Sequence, residues 1–584
     1  MTVPRKEHPK PQYKREQWLN LNGQWDFAFD FGLSGQEKGW AEGKEQFPEK
    51  IMVPFCPESE LSGLGYKDFI PAVWYQRDFE IPAEWGEKKV LLHFGAVDYE
   101  ARVWVNGQYV GTHRGGSSSF KFEITDFINQ GENRLVVNAR DDLRSGEQPG
   151  GKQSKKLKSH GCVYTRVTGI WQTVWLEAVP EYYLEDVHIV PDYDNGCFNL
   201  TPRLNKEKEN LSFRAVISSS GQEIAAKTIA AGSGKSLKLE LTDPHAWNLE
   251  DPFLYDLSLE LLEKGKIIDR VKSYAGLRKF HIENNKFFLN NEQIFLRLVL
   301  DQGFYPDGIW TAPDDQELKA DIERAQKVGF NGARLHQKVF AERYHYWADK
   351  LGYLTWGEFS DWGLDLQKLA AIHNHRREWG EVVVRDRNHP SIVAWTPFNE
   401  TANYGARKYR ESYTQAVEDI YTLTKDLDPT RPINDASGYI HVETDIYTVH
   451  DYDQNPDSFA ERYAQVDPEN PEKAFVNFPD NDAPYQGEPY VVDEYGGTYW
   501  TKEYAEKPTR GGNREEWGYG KSEQEVLDRI EKLTLPLLDN PEIAGYTYTQ
   551  LTDVEQEVNG IYTYDRKLKF SLDRLQEIFG REEV

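Results

Sequence analysis

Cysteine is nearly missing. Cys56, Cys162 and Cys197 are the only three in 584 residues, too few and too scattered for a disulfide framework or a zinc site. Their scarcity points to a reducing compartment. Long apolar runs are missing as well: nothing approaches the roughly 20 residues of a membrane helix, and the opening MTVPRKEHPK has no apolar signal core. Positive charge is in deficit, with 69 Lys and Arg against 96 Asp and Glu, a formal charge of −27. Such a field repels nucleic acid and anionic membrane surfaces. The expectation is a cytoplasmic protein with no nucleic-acid or membrane partner, as a monomer or a homo-oligomer.

Aromatic residues are abundant instead: 17 Trp, 33 Tyr and 28 Phe, 13% of the chain. Most belong in cores, but a sugar site also uses them, because a ring face packs on the C–H face of a sugar. The length is several times a typical domain of roughly 100–150 residues, so three or four folded units are expected.

Up to about residue 182 the chain reads as short strands broken by turns. KVLLHF (89–94), ARVWV (101–105) and RLVVNA (134–139) are rich in β-branched and aromatic residues, and Asn106-Gly107 is a hairpin dipeptide. This predicts an antiparallel, jelly-roll-like β-sandwich over 1–182. Residues 183–277 alternate at period two through segments such as LSFRAVISS and YDLSLELLE, which predicts a small immunoglobulin-like sandwich. From 278 to 584 strand-like runs alternate with helical patterns, the grammar of a parallel sheet. Candidate strands cover 294–300, 331–336, 353–359, 392–398, 432–435, 446–452, 490–494 and 545–551, and candidate helices cover 315–328, 341–350, 380–388, 411–425 and 521–538. Together they predict a C-terminal (β/α)₈ TIM barrel.

In such a barrel, chemistry sits at the C-terminal strand ends. Two ends stand out: IVAWTPFNE, finishing at Asn399-Glu400, and YVVDE, finishing at Asp493-Glu494. They lie on the fourth and seventh strands of the count, both able to point into the mouth. Two carboxylates across a mouth are what glycoside cleavage needs. One protonates the leaving oxygen, and the other attacks the anomeric carbon or activates water. Asn399 can hydrogen-bond a ring hydroxyl beside the reacting carbon. Arg334 can orient the nucleophile or serve as a structural ion pair. His336 and His450 can donate to sugar hydroxyls or be satisfied in the core. Asp301, Trp356, Glu358, Tyr452 and Gln550 also stand at strand ends suited to sugar contact. No metal cluster can be assembled, so no metal or other cofactor is expected.

These segments resemble glycoside hydrolase family 2, the group of β-galactosidases, β-glucuronidases and β-mannosidases. The resemblance rests on RDRNHPSIVAWTPFNE (385–400), VVDEYG (491–496), GFNGARLH (329–336), ADKLGYLTWGE (348–358), FGAVDYEARVWVNG (94–107) and GIWQTVWLE (169–177). It implies the order sandwich, immunoglobulin-like domain, barrel. It also implies retention by double displacement, with Glu400 as acid/base and Glu494, in preference to Asp493, as nucleophile.

Two departures bear on the sugar. The family's glucuronidases carry an Asn-x-Lys pair after the last strand, where this chain reads DVEQEVNG (553–560) with no lysine. A uronate there would meet acids with no visible cation, which disfavours a glucuronide. The Asp that the family's galactosidases and glucuronidases bring from the first sandwich falls here at Val163. The expected activity is therefore exo-acting and retaining on a carbohydrate substrate, nominally β-galactosidase. A glycofuranosidase for galactofuranose or arabinofuranose comes next, then β-glucuronidase. A non-catalytic carbohydrate-binding protein is the competing class, and the intact Glu pair argues against it. A transglycosidase would use the same two residues.

Overall fold

The computed structural model describes residues 3–400, 410–502 and 518–583. The first sandwich faces a six-stranded sheet with a four-stranded one. The larger is ordered 49–53, 23–29, 72–80, 132–140, 100–105, 108–114, and the smaller 18–20, 174–179, 89–94, 120–123. Inward residues at period two fill the space between them, including Trp25, Phe27, Tyr75, Leu92, Val137 and Leu176. Asn106 and Gly107 both take positive φ, 52° and 77°, as the two-residue hairpin turn requires.

The second sandwich pairs a three-stranded sheet (184–192, 197–204, 237–240) with a four-stranded one (211–219, 222–230, 255–263, 266–275) around Phe198, Phe213 and Leu259. The buried Arg15 joins the two sandwiches. It donates to Glu177 at 2.8 Å and with two nitrogens to Asp269 at 2.9 Å each.

A three-stranded antiparallel sheet over 280–294, absent from the sequence reading, precedes the barrel. Its Phe280, Phe287 and Leu289 pack into the barrel interior with Trp356. The barrel has seven parallel strands in one sheet: β1 (Leu296–Asp301), β2 (Gly332–Leu335), β3 (Leu354–Glu358), β4 (Ile392–Thr396), β5 (Tyr447–Asp451), β6 (Tyr490–Gly496) and β7 (Ile543–Thr549). The expected strand over 432–435 occupies the gap between β4 and β5 only as isolated parallel bridges, Trp395 to Ile433 and Asn399 to Ser437. The helix expected from Gly380 begins instead at Leu369 and runs to Asp386. Ala371, His375, Trp379 and Val383 form its buried stripe at four-residue spacing. Among the described residues, no helix is long and apolar enough to cross a membrane, and all three cysteines are free.

Residues 141–168 leave the first sandwich and lie against the barrel mouth. Gly150 N donates to Trp362 O at 2.8 Å and Gly151 N to Ser360 O at 3.0 Å. Thr165 N donates to Glu555 at 3.1 Å on the loop after β7.

Candidate active site

Arg334, at the end of β2, organises the mouth. It is fully buried and uses each nitrogen: Nε to Glu358 at 2.6 Å, Nη1 to Glu494 at 2.9 Å and to Asp493 O at 3.0 Å, and Nη2 to Asn399 Oδ1 at 2.6 Å. A planar fork with five donors suits this task better than an ammonium. The ion pair to Glu358 helps aim the guanidinium at Glu494.

Asp493 and Glu494 both face the mouth, although neighbours on a regular strand point to opposite sides. The register of β6 shifts between Val492 and Tyr495 against β7, and that irregularity turns both inward. Asp493 is fully buried and accepts from Ser437 Oγ. Burial pushes its pKa up, against the pull of His450 and Arg334. Glu494 accepts from Arg334 on one oxygen and from the Tyr452 hydroxyl on the other. Burial pushes its pKa up, but His450 and Arg334 outweigh that and hold it at about 2, so it is ionised at neutral pH.

Glu400 follows β4 with a positive φ of 48°. His450 Nδ1 lies 2.8 Å from its carboxylate and 3.5 Å from Glu494, while Nε2 lies 3.1 Å from Ser437 Oγ and 3.4 Å from Asp493. Burial lowers the His450 pKa, but Glu494 and Asp493 prevail and raise it above its ordinary 6.5. Ligand atoms of Glu400, His450 and Glu494 all lie within 4.8 Å of one another. A cation fits those distances, yet it would occupy both carboxylates and compete with His450, whose raised pKa favours the charged form. Tyr439, missed by the sequence reading, also faces Glu400; burial and that carboxylate push its phenol up.

The other expected contacts divide. Asn399 Oδ1 is spent on Arg334, and its buried Nδ2 has no partner among the described residues, a donor left for a ligand. Tyr452 reaches Glu494, as above. His450 bridges the two carboxylates and is not placed as a simple sugar donor. His336 sits behind Glu494: Arg334 Nη2 lies 3.1 Å from its Nδ1, and burial keeps it neutral by lowering its pKa well below 6.5. Glu358 accepts from Arg334 on one oxygen and from the Gln337 N–H on the other, so it holds Arg334 in place. Trp356 lies two residues below Glu358 on the same face, inside the barrel core, its indole N–H on Thr396. Asp301 is 3% exposed and accepts from Gly303 N and Tyr344 OH. Gln550 is fully buried between Gln302 and Asn559. Each of these last four side chains is thus engaged by protein partners.

The sandwich loop supplies what the strand ends do not. Lys152 stands in the lysine-rich stretch GKQSKKLKSH (151–160), where Lys155, Lys156 and Lys158 are exposed and Lys152 is buried. Its Nζ lies 4.4 Å from the centre of the Trp362 ring, whose indole N–H donates to Asn399 O at 3.1 Å. Burial lowers the Lys152 pKa, but Cys162, Glu557, Glu494 and Glu400 raise it overall. Glu557, from the DVEQEVNG stretch, accepts from Tyr164 OH and from Asn559 Nδ2 at 3.1 Å. The absence of a cation near that stretch, expected from the sequence, is thus wrong: Lys569 Nζ donates to Asp553 at 2.8 Å and to Val558 O at 3.0 Å.

Models of glycosyl hydrolases family 2 match almost end to end: the sugar binding domain over 19–180, the family 2 domain over 182–278 and the TIM barrel domain over 280–582. The chain belongs to glycoside hydrolase family 2. Within that family it is 27% identical over 454 residues to a beta-glucuronidase of Bacteroides fragilis, covering 73% of this chain and 61% of that protein. It is 28% identical over 346 residues to a beta-galactosidase of Thermoanaerobacter pseudethanolicus, covering 56% of this chain and 44% of that protein. The chain thus spans less than two thirds of either relative. A solved b-glucuronidase from Ruminococcus gnavus in complex with D-glucuronic acid superposes with a TM-score of 0.80 at 19% identity, over 99% of this chain and 100% of that one. That likeness establishes a shared family 2 fold.

Proposed function

We propose that this family 2 chain is a retaining, exo-acting glycoside hydrolase, with Glu494 as nucleophile and Glu400 as acid/base. One observation carries the reading: carboxylate oxygens of the two residues approach within 4.8 Å. Retention asks for carboxyl groups about 5–5.5 Å apart, whereas inversion asks for about 6.5–9.5 Å to admit a water. The pKa of about 2 suits Glu494 to attack as the carboxylate. In the first step Glu494 bonds the anomeric carbon while Glu400 gives its proton to the departing oxygen. In the second, Glu400 takes a proton from water, which attacks the same carbon and releases Glu494. The free Asn399 Nδ2 is a donor for a hydroxyl beside the reacting carbon. The sandwich loop closing one side of the mouth favours a terminal sugar over an internal one.

The relatives' names offer a glucuronide and a galactoside. Lys152 already feels Glu557, Glu494 and Glu400, and a uronate would bring a fourth carboxylate. A neutral β-glycoside, nominally a galactoside, is the better fit. The test is covalent. A 2-deoxy-2-fluoro galactosyl fluoride should label Glu494 in a peptide digest, and NMR of a turned-over nitrophenyl β-galactoside should show the β-anomer first. First appearance of the α-anomer would sink the retaining reading.

A further inference from the structure

We propose that Ser437 and Asp493 pin a proton on Nε2 of His450, so that the imidazole exchanges one mobile proton with Glu400 through Nδ1 and supplies it for the departing glycosidic oxygen. The inference rests on the glycosidase reading above and makes Ser437 and Asp493 positioning residues for its acid/base.

Ser437 lies in the gap between β4 and β5 and is tied to the acid/base by backbone and side chain alike. Its N–H donates to Phe398 O at 2.8 Å and its carbonyl accepts from Glu400 N at 3.1 Å, so the chain on either side of Asn399 is held by this one residue. The side chain is fully buried, and its hydroxyl donates to Asp493, whose carboxylate also lies 3.8 Å from Arg334 Nη1. The same hydroxyl oxygen lies 3.1 Å from His450 Nε2. With its one hydrogen spent on Asp493, that oxygen can only accept, and Nε2 must carry the hydrogen between them. Asp493 makes the same demand. Its Oδ1 is buried without a hydrogen-bond partner among the described residues, and it faces Nε2 at 3.4 Å.

The other ring nitrogen is free to gain or lose its proton. Nδ1 lies 2.8 Å from Glu400 and 3.5 Å from Glu494. The Tyr439 ring centre lies 5.6 Å from that of His450, and Tyr452, Arg334 and His336 contact Glu494 in turn. With Nε2 fixed, a proton on Nδ1 makes an imidazolium beside an ionised Glu400. The same proton on Glu400 leaves a neutral ring whose Nδ1 accepts. In the first step this proton passes from Nδ1 to Glu400 and on to the departing oxygen, while Glu494 bonds the anomeric carbon. Glu400 is then a carboxylate and His450 the Nε2–H tautomer. In the second step the proton that Glu400 takes from water returns to Nδ1, and Glu494 is released.

Nitrogen-15 NMR of histidine-labelled protein, with His450 assigned by its loss in His450→Asn, reads the tautomer directly. As pH rises, Nε2 should keep its proton while Nδ1 gives its own up. Ser437→Ala should bring the basic limb of kcat on an alkyl β-glycoside down by about one pH unit, the equivalent of one charged hydrogen bond. The same variant should leave a dinitrophenyl glycoside within about twofold, because that leaving group needs no proton. Asp493→Asn, which removes the charge as well, should move the limb further. Thermal unfolding checks the fold of each variant, and the wild-type nitrogen signals decide the matter should a variant not fold. A bare Nε2 in wild type, or a folded Ser437→Ala whose basic limb stays in place, would overturn the pin and leave the glycosidase reading standing. A wild type that turns over no glycoside would overturn both.

Discussion

Each carboxylate in the mouth has its charge decided by who faces it. Glu494 and Asp493 are adjacent and both buried, yet the first is held at about 2 and the second is pushed up. Arg334 and Tyr452 give hydrogen bonds to Glu494, and His450 adds charge. A folded pKa of about 2 lies below the ordinary 4.5, so the stability it confers is present above 4.5 and lost as pH falls toward 2. His450 has the opposite sign. Raised above 6.5, it contributes fully below 6.5, and that contribution disappears as pH climbs through the raised value. His450→Asn should therefore flatten the alkaline limb of stability against pH, measured by urea unfolding; an unchanged limb would argue that the imidazole is neutral. Glu400→Ala should cut turnover of poor leaving groups by about 100-fold or more while sparing dinitrophenyl glycosides, with azide restoring the latter. Equal losses on both would count against acid catalysis.

At the scale of single elements, the loop over 150–154 and strand β3 make separable claims. Gly151 has φ +54°, and a Cβ there would lie 2.3 Å from Gln337 O, so the loop approaches the barrel more closely than any side chain permits. Gly151→Ala should push the loop off the mouth and raise KM about 10-fold, with kcat changed less, in steady-state kinetics. Along β3, Trp356 fills the interior while Glu358 reaches the mouth. Trp356→Ala should cost about 3–5 kcal/mol in chemical denaturation and leave KM within about twofold. A large KM effect with little destabilisation would return Trp356 to the sugar.

Across the whole molecule, the three cores are tied by buried polar contacts. Arg15 links Glu177 in the first sandwich to Asp269 in the second, and Tyr274 and Trp247 from the second donate to Asp349 of the barrel at 2.8 and 2.7 Å. Removing one partner of a buried ion pair strands the others, at a cost of about 3–5 kcal/mol. Arg15→Ala should therefore lower the melting temperature and split a single calorimetric transition into two. One unshifted transition would mean that the sandwiches are held by apolar packing alone.

The linear pattern carried much of this. Period-two alternation marked both sandwiches, and the change to alternating strands and helices marked the barrel, because burial of one face imposes those periods. The strand ends at Asn399-Glu400 and Asp493-Glu494 were visible for the same reason: polar residues closing apolar runs. Depth was not visible. Trp356, Asp301, Glu358 and Gln550 end strands as suitably as Tyr452 does, and only the folded barrel shows which protein partner each one takes. Nor was Lys152, one lysine among several in a polar loop, because its environment is made by Trp362 and Glu557, more than 200 and 400 residues away along the chain. Local periodicity fixes which residues face inward; which of them meet, and at what depth and charge, is settled only when distant segments fold onto one mouth.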